Sequence, residues 1–339
     1  MADTPLRVWL LSDGRPGHYK QSRGIVRALS RLRPVQTEWI DLKLRVGLFR
    51  VLLRAWFNHR GASPPLAMLN VFYRATLPAQ PPRLIVSAGG RTSFANVWLA
   101  RHFGVPNVFA GSLRGLRPDL FGAVLTLEPI AGADNNIVLT VPPSPVDADA
   151  LAGRTVPGCD SAHPCWALLI GGDGAGYRYT DADWIALGRL LVQTADRYGI
   201  RWLLSTSPRT GRAAERLLRD AVPESCLAAA AWYGRDPADR VMDFLAAADR
   251  VLVTEDSMTM LTEAISAMKP VYSLRPAHAG PNARYRHVMQ RFEGEGLVAR
   301  FDIGELAARP ETLEQVRCRP LKQPPLEQLA RQLAGHLGL

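Results

Sequence analysis

Four short runs in this 339-residue chain place chemically able residues just beyond apolar stretches. The first is SDGRPGH, Ser12 to His18, where Gly14, Pro16 and Gly17 turn the chain sharply and His18 stands where a helix should begin. An imidazole there suits general-base work on an acceptor hydroxyl, or its positioning, with Asp13 beside it. Gly14, Arg15 and Gly17 would offer backbone donors and a cation to an anion. The second is SAGGRTS, Ser87 to Ser93, in which Gly89 and Gly90 allow close backbone approach and Arg91 and Thr92 are placed to hold a phosphate or acidic group. The third is IGGDGAGYRY, Ile170 to Tyr179. Gly171, Gly172, Gly174 and Gly176 form a loop able to wrap a pyrophosphate, while Asp173 suits a sugar hydroxyl or a backbone N–H better than a bare phosphate. It is not a P-loop, because no GK[ST] follows. The fourth is VTEDSMTMLTEAISAMKP, Val253 to Pro270. Ser257, Met258 and Thr259 open a helix whose hydroxyls and N–H groups favour a phosphate. Glu263 lies one turn on from Thr259, on the same face, where a carboxylate accepts ribose hydroxyls. Ser205, the first polar residue after the apolar part of IRWLLSTS, joins this donor group. Each run also fits ordinary β–α turns and helix capping, with Arg91 and Glu263 simply solvated.

The elements that would hold these residues are short apolar runs alternating with helical patterns, the mark of βαβ units and a parallel sheet. RVWLLSD, TEWIDL, RLIVSAGG, NVFAGS, AVLTLEP and NIVLTV are expected strands of a first series. WALLIGG, IRWLLSTS, DRVLVTED and PVYSLRP are expected strands of a second. Val141 to Pro164, rich in Pro, Gly and Asp, separates them as a linker. The expectation is an α/β protein of two Rossmann-like domains, residues 1–150 and 151–339, with parallel sheets facing a central cleft. The closing helix LEQLARQLAGHLGL is a candidate to pack back on the first domain. In such sheets ligands bind beyond the carboxyl ends of the strands, which is where all four runs fall.

A formal charge of +10, supplied mostly by arginine, favours anionic partners. No zinc finger, RNP motif or isolated basic helix interleaved with aromatics points to nucleic acid. Cys159, Cys165, Cys226 and Cys318 show no CxxC spacing, so neither metal site nor disulfide framework is indicated, and reduced packing cysteines are expected. No bilayer-length apolar run and no signal peptide are visible. Lys43 to Arg60 combines Leu48, Phe49, Leu52, Leu53, Trp56 and Phe57 with Lys43, Arg45, Arg50, Arg54 and Arg60. It reads either as an amphipathic helix lying on an anionic membrane or as a core helix with snorkelling arginines.

SDGRPGH, SAGGRTS, IGGDG and TEDSMTMLTEA, in this order from about Leu10 to Pro276, resemble the ELM1-like family, which includes plant mitochondrial fission factors and many bacterial proteins. More distantly the layout is similar to GT-B glycosyltransferases of the MurG and lipid A disaccharide synthase type. That resemblance implies that Gly14, Gly17 and His18 face an acceptor, and that Gly171, Gly172, Ser257, Thr259 and Glu263 hold a UDP-sugar. It implies sugar transfer from a nucleotide-diphosphate donor to a lipid-linked or envelope acceptor, with no metal or other cofactor and with His18 or Asp13 as base. The protein would then be cytoplasmic, peripheral on the inner face of the membrane. Two departures are visible: DGRPGH replaces a double-glycine turn, and TEDS puts two acids where the relatives carry small residues. A non-catalytic membrane adaptor of the fission type and a nucleotide-sugar epimerase or hydrolase stand as alternatives on the same fold.

Overall fold

The computed structural model describes residues 4–47, 49–59, 65–160, 163–235 and 239–338. Packing divides the chain into two units, Met1–Pro145 with Pro325–Leu339, and Val146–Pro324.

Unit 1 contains β1 (Leu6–Ser12), β2 (Val35–Asp41), β3 (Lys43–Leu44), β4 (Tyr73–Arg74), β5 (Leu84–Ala88), β6 (Asn107–Ala110), β7 (Ala123–Thr126) and β8 (Asn136–Val138). Six of these form one parallel sheet in the order β2-β1-β5-β6-β7-β8, while β3 and β4 make a separate antiparallel ribbon. Parallel sheets are covered on both faces, which is why β5 is apolar but for Ser87 and buried throughout. On one face α1 (Pro16–Ser30) sets Ile25, Ala28 and Leu29 among Val8, Leu10 and Val86. The same cluster takes in Leu326, Leu329, Ala330 and Leu333 of the helix Pro325–Leu337, so the chain ends by returning to its first unit. On the other face Phe94 and Trp98, from the helix Ser93–Phe103, meet Leu53 and Phe57 of α2 (Phe49–His59).

Unit 2 contains β9 (Cys165–Leu169), β10 (Tyr177–Arg178), β11 (Arg201–Ser205), β12 (Leu227–Ala231), β13 (Arg250–Thr254), β14 (Val271–Arg275), β15 (His278–Ala279) and β16 (Val298–Asp302). Its parallel sheet runs β12-β11-β9-β13-β14-β16, with β10 and β15 as a small antiparallel pair. Counted along the chain, the six strands of this sheet stand 3-2-1-4-5-6, and those of unit 1 stand 2-1-3-4-5-6. Both are doubly wound orders with one point where the winding reverses, between β1 and β5 in unit 1 and between β9 and β13 in unit 2. The four chemically able runs follow these four strands, and only these.

Two expectations are corrected. Cys159 and Cys165, expected as reduced thiols, are joined in a disulfide, with Cα atoms 5.6 Å apart. Between them the carbonyl and carboxylate of Asp160 both accept from the His163 N–H. Cys226 and Cys318 are free and half-buried. The segment from Lys43 is not one helix. Lys43 and Leu44 belong to the ribbon and α2 starts at Phe49. Leu53 and Phe57 go into the core, whereas Val51 and Leu52 are exposed; Leu48 and Arg60 lie outside the described residues. No described helix is long and apolar enough to cross a membrane.

Candidate functional site

Beyond β1, Gly14 takes a left-handed φ of +76°, which lets the chain reverse into α1. The Gly14 N–H donates to Ser12 Oγ at 3.1 Å and the Arg15 N–H to Asp13 Oδ1 at 3.3 Å. Arg15 precedes the helix without a side-chain cap, and Pro16 and Gly17 start it. His18 therefore stands within the first turn, its Nδ1 2.9 Å from Asp13 Oδ1 and 3.1 Å from Oδ2. The Asp13 side chain is 2% exposed and that of His18 27%. A buried carboxylate accepts only, so the bond assigns the proton to Nδ1 and leaves the Nε2 lone pair for another donor.

The partner strand supplies the space for this ring. At Gly89 (φ +85°) a Cβ would fall 2.2 Å from His18 Nδ1, and at Gly90 one would fall 2.4 Å from Arg114 Nε. The two glycines thus admit side chains as much as any ligand. Thr92, expected to contact a phosphate, is fully buried and donates its hydroxyl to the carbonyls of Ala88 and Gly89, so it shapes the turn. Arg91 is exposed and lines, with Asp13 and Gly14, a cavity of about 920 Å³.

At the reversal point of unit 2, the glycine loop and the end of β13 lock together. The Gly171 N–H donates to Thr254 Oγ1 at 2.7 Å, and its carbonyl accepts from Thr210 Oγ1 at 2.9 Å and from Ser207 Oγ. A Cβ at Gly172 would fall 2.3 Å from the Arg209 carbonyl, one at Gly174 2.3 Å from Arg209 Nη1, and one at Gly176 2.4 Å from the Gly280 carbonyl. The Gly174 N–H donates to the Tyr177 carbonyl. The expectation of amides wrapped around a pyrophosphate is therefore corrected for Gly171 and Gly174: their N–H groups are taken up within the protein, and these glycines are required by close packing. Asp173 accepts from the Tyr179 N–H at 2.9 Å.

The cation at this edge is Arg209, which the sequence reading missed. Its Nη2 lies 2.7 Å from Asp256 Oδ2, with the Asp256 side chain fully buried and that of Arg209 40% exposed. Tyr179 donates to Asp256 Oδ1 at 2.9 Å. Burial lifts the Asp256 carboxyl above the ordinary carboxylate range, against the pull of Arg209. Glu255 has a different office: Arg300 grips it at 2.8 and 2.9 Å, Tyr177 donates at 2.7 Å and Ser273 at 3.0 Å. Burial alone would raise its carboxyl, but these partners outweigh that and hold it below the usual range. The two acids of TEDS thus divide the work, Glu255 tying β10, β14 and β16 together and Asp256 presenting a guanidinium.

Ser257 caps the helix Met258–Ser266, accepting from the Met260 N–H at 3.4 Å, and is 6% exposed. Met258 and Thr259 are half-buried in its first turn, and Glu263 is 2% exposed, so the solvent-facing reading of that glutamate does not hold. Ser205 ends β11 almost wholly buried, its carbonyl accepting from the Ile170 N–H. A signal for Arg209 was present: STSPRTG, Ser205 to Gly211, is a polar run directly after a strand, like the four recognised.

The family model described as mitochondrial fission ELM1 matches residues 16–334. A comparison with curated proteins gave no match. Among solved structures, UDP-GlcNAc 2-epimerase from Methanocaldococcus jannaschii is similar at a TM-score of 0.54 and 13% identity, over 98% of this chain and 100% of that one. S. aureus MnaA, solved with UDP, matches at 0.52 and 13%, over 98% and 92%. MurG of Acinetobacter baumannii matches at 0.50 and 12%, over 98% and 95%. These likenesses establish the fold as GT-B, two Rossmann-like domains.

Proposed function

We propose, from the premise that this chain belongs to the mitochondrial fission ELM1 family, that it is a GT-B-type glycosyltransferase moving a sugar from a nucleotide-diphosphate donor to a membrane-associated acceptor. The observation that carries the reading is the Asp13–His18 pair. A buried carboxylate orients a partly exposed imidazole, packed against Gly89, at the carboxyl end of β1. In this reading His18 Nε2 takes the proton of the acceptor hydroxyl as it attacks the anomeric carbon, and Asp13 steadies the imidazolium formed. Arg209, held by Asp256, and the first turn of the helix Met258–Ser266, with Met258 and Thr259, balance the charge growing on the departing diphosphate. Glu263 completes the donor site, with Arg15 and Arg91 at the acceptor.

Thermal shift against UDP, ADP, GDP and CMP and their sugars tests the donor half. One nucleotide should raise the melting temperature, and Arg209→Gln and Glu263→Ala should each abolish the rise. No shift with any of them would overturn the reading. The family's name supports a second one, a non-catalytic adaptor in membrane fission, under which His18→Ala and Arg209→Gln leave function in cells intact. An epimerase or hydrolase would convert the nucleotide sugar with no acceptor present.

A further inference from the structure

The ribbon of unit 1 contains an arrangement that its fold does not require. Lys43 on β3 stands directly opposite Arg74 on β4. Like charges facing one another across an antiparallel pair destabilise it. No carboxylate among the described residues lies within ion-pair reach of either, nor of Arg45, Arg50 or Arg91. All five cations line the cavity of about 920 Å³ beside Asp13, in which Asp41 is the other acid. Asp13 is already engaged by His18, so an excess of positive charge faces a space of ligand size.

Exposed aliphatic side chains adjoin the lining residues in sequence. Val46, Val51, Leu52 and Val71 are 48%, 52%, 55% and 55% exposed. Val46 stands between the lining residues Arg45 and Gly47 and Val71 follows Asn70, while Val51 and Leu52 come one and two places after Arg50 on α2. Aliphatic side chains around a cationic hollow complement an amphipathic anion better than a soluble one.

We propose that this cavity takes the phosphate or diphosphate headgroup of an anionic lipid, between Lys43 and Arg74, with the lipid chains against Val46, Val51, Leu52 and Val71. Only the further step, that this lipid is the acceptor presented to His18, rests on the transferase reading. The headgroup supplies the counter-ion that the Lys43–Arg74 pair lacks.

The test is co-sedimentation of the full chain, without nucleotide, with vesicles of phosphatidylcholine alone or mixed with phosphatidic acid or with phosphatidylglycerol at matched surface potential. Binding to the phosphatidic acid vesicles should be strongest. Lys43→Gln with Arg74→Gln should weaken it by roughly tenfold or more, while raising the melting temperature of the lipid-free protein at low salt, because the facing charges are gone. Val51→Ser with Leu52→Ser should weaken vesicle binding without altering the thermal shift produced by inorganic pyrophosphate. Unchanged binding by the double Gln variant, or equal binding to the two anionic lipids, overturns the proposal. A pyrophosphate shift without vesicle binding also overturns it, in favour of a soluble occupant. Lipid binding with no sugar transfer to any lipid would sink the transferase reading and leave this site standing.

Discussion

Replacing Asp13 by Asn keeps the size of the side chain but exchanges an acceptor pair for an amide, so His18 loses the partner that assigns its proton and steadies its cation. Asp13→Asn and His18→Ala should each lower sugar transfer by ~10²–10⁴-fold while the thermal shift by the donor nucleotide stays as in the parent protein. A lost nucleotide shift would instead mean that the pair serves structure. Gly89→Ala should act like His18→Ala, because the added methyl occupies the place of the ring. In unit 2 the two neighbouring acids should respond with opposite signs. Glu255→Gln deprives the mostly buried Arg300 of its partner and should cost about 3 kcal/mol at pH 7. Because the Glu255 carboxyl is depressed on folding, its contribution is present above about pH 4.3, the unfolded value, and fades as the pH falls below it. The Asp256 carboxyl is raised on folding, so stability is full below about pH 3.9 and declines as the pH rises through the folded value. Asp256→Asn should therefore gain on the parent as the pH rises above about 3.9, while Arg209, no longer anchored, binds nucleotide less well. Urea midpoints measured against pH read both effects, and parallel pH curves for the two variants would refute this division of labour.

Elements were legible in the sequence wherever burial imposed a pattern. The inner strands β1, β5, β9 and β13 are predominantly apolar because parallel strands are covered on both faces. Edge strands escape that rule: β12 is LAAAA, with four of five residues half-buried, and β16 is broken by Arg300 and Asp302, so neither carries the signal of a strand. The ribbon of β3 and β4 was illegible for another reason, since two-residue strands exist only through their partners. The closing helix has a firmer dependence. Leu333 is fully buried beside Ile25 and Leu29, so Leu333→Ala should cost about 3 kcal/mol. Chemical denaturation measures it, and a loss below about 0.5 kcal/mol, the range of surface positions, would deny the packing.

At the scale of the whole chain, two units with separate cores make two unfolding steps the expectation. Leu333→Ala should move one transition and Glu255→Gln the other, and donor nucleotide should move only the latter; a single transition shifted equally by both variants would contradict it. What the sequence determined by itself was local: parallel α/β architecture from apolar runs alternating with helices, and glycines and polar residues at strand ends, because both patterns are written in neighbouring residues. What only the tertiary structure decided was which of those polar residues meet. Thr254 receives the Gly171 N–H from 83 residues away, and Arg209 reaches Asp256 from a different strand end. Such pairings follow from strand order, which depends on how helices pack across a finished sheet. The same dependence explains why two acids that looked out of place beside a diphosphate serve to brace the sheet and to aim an arginine.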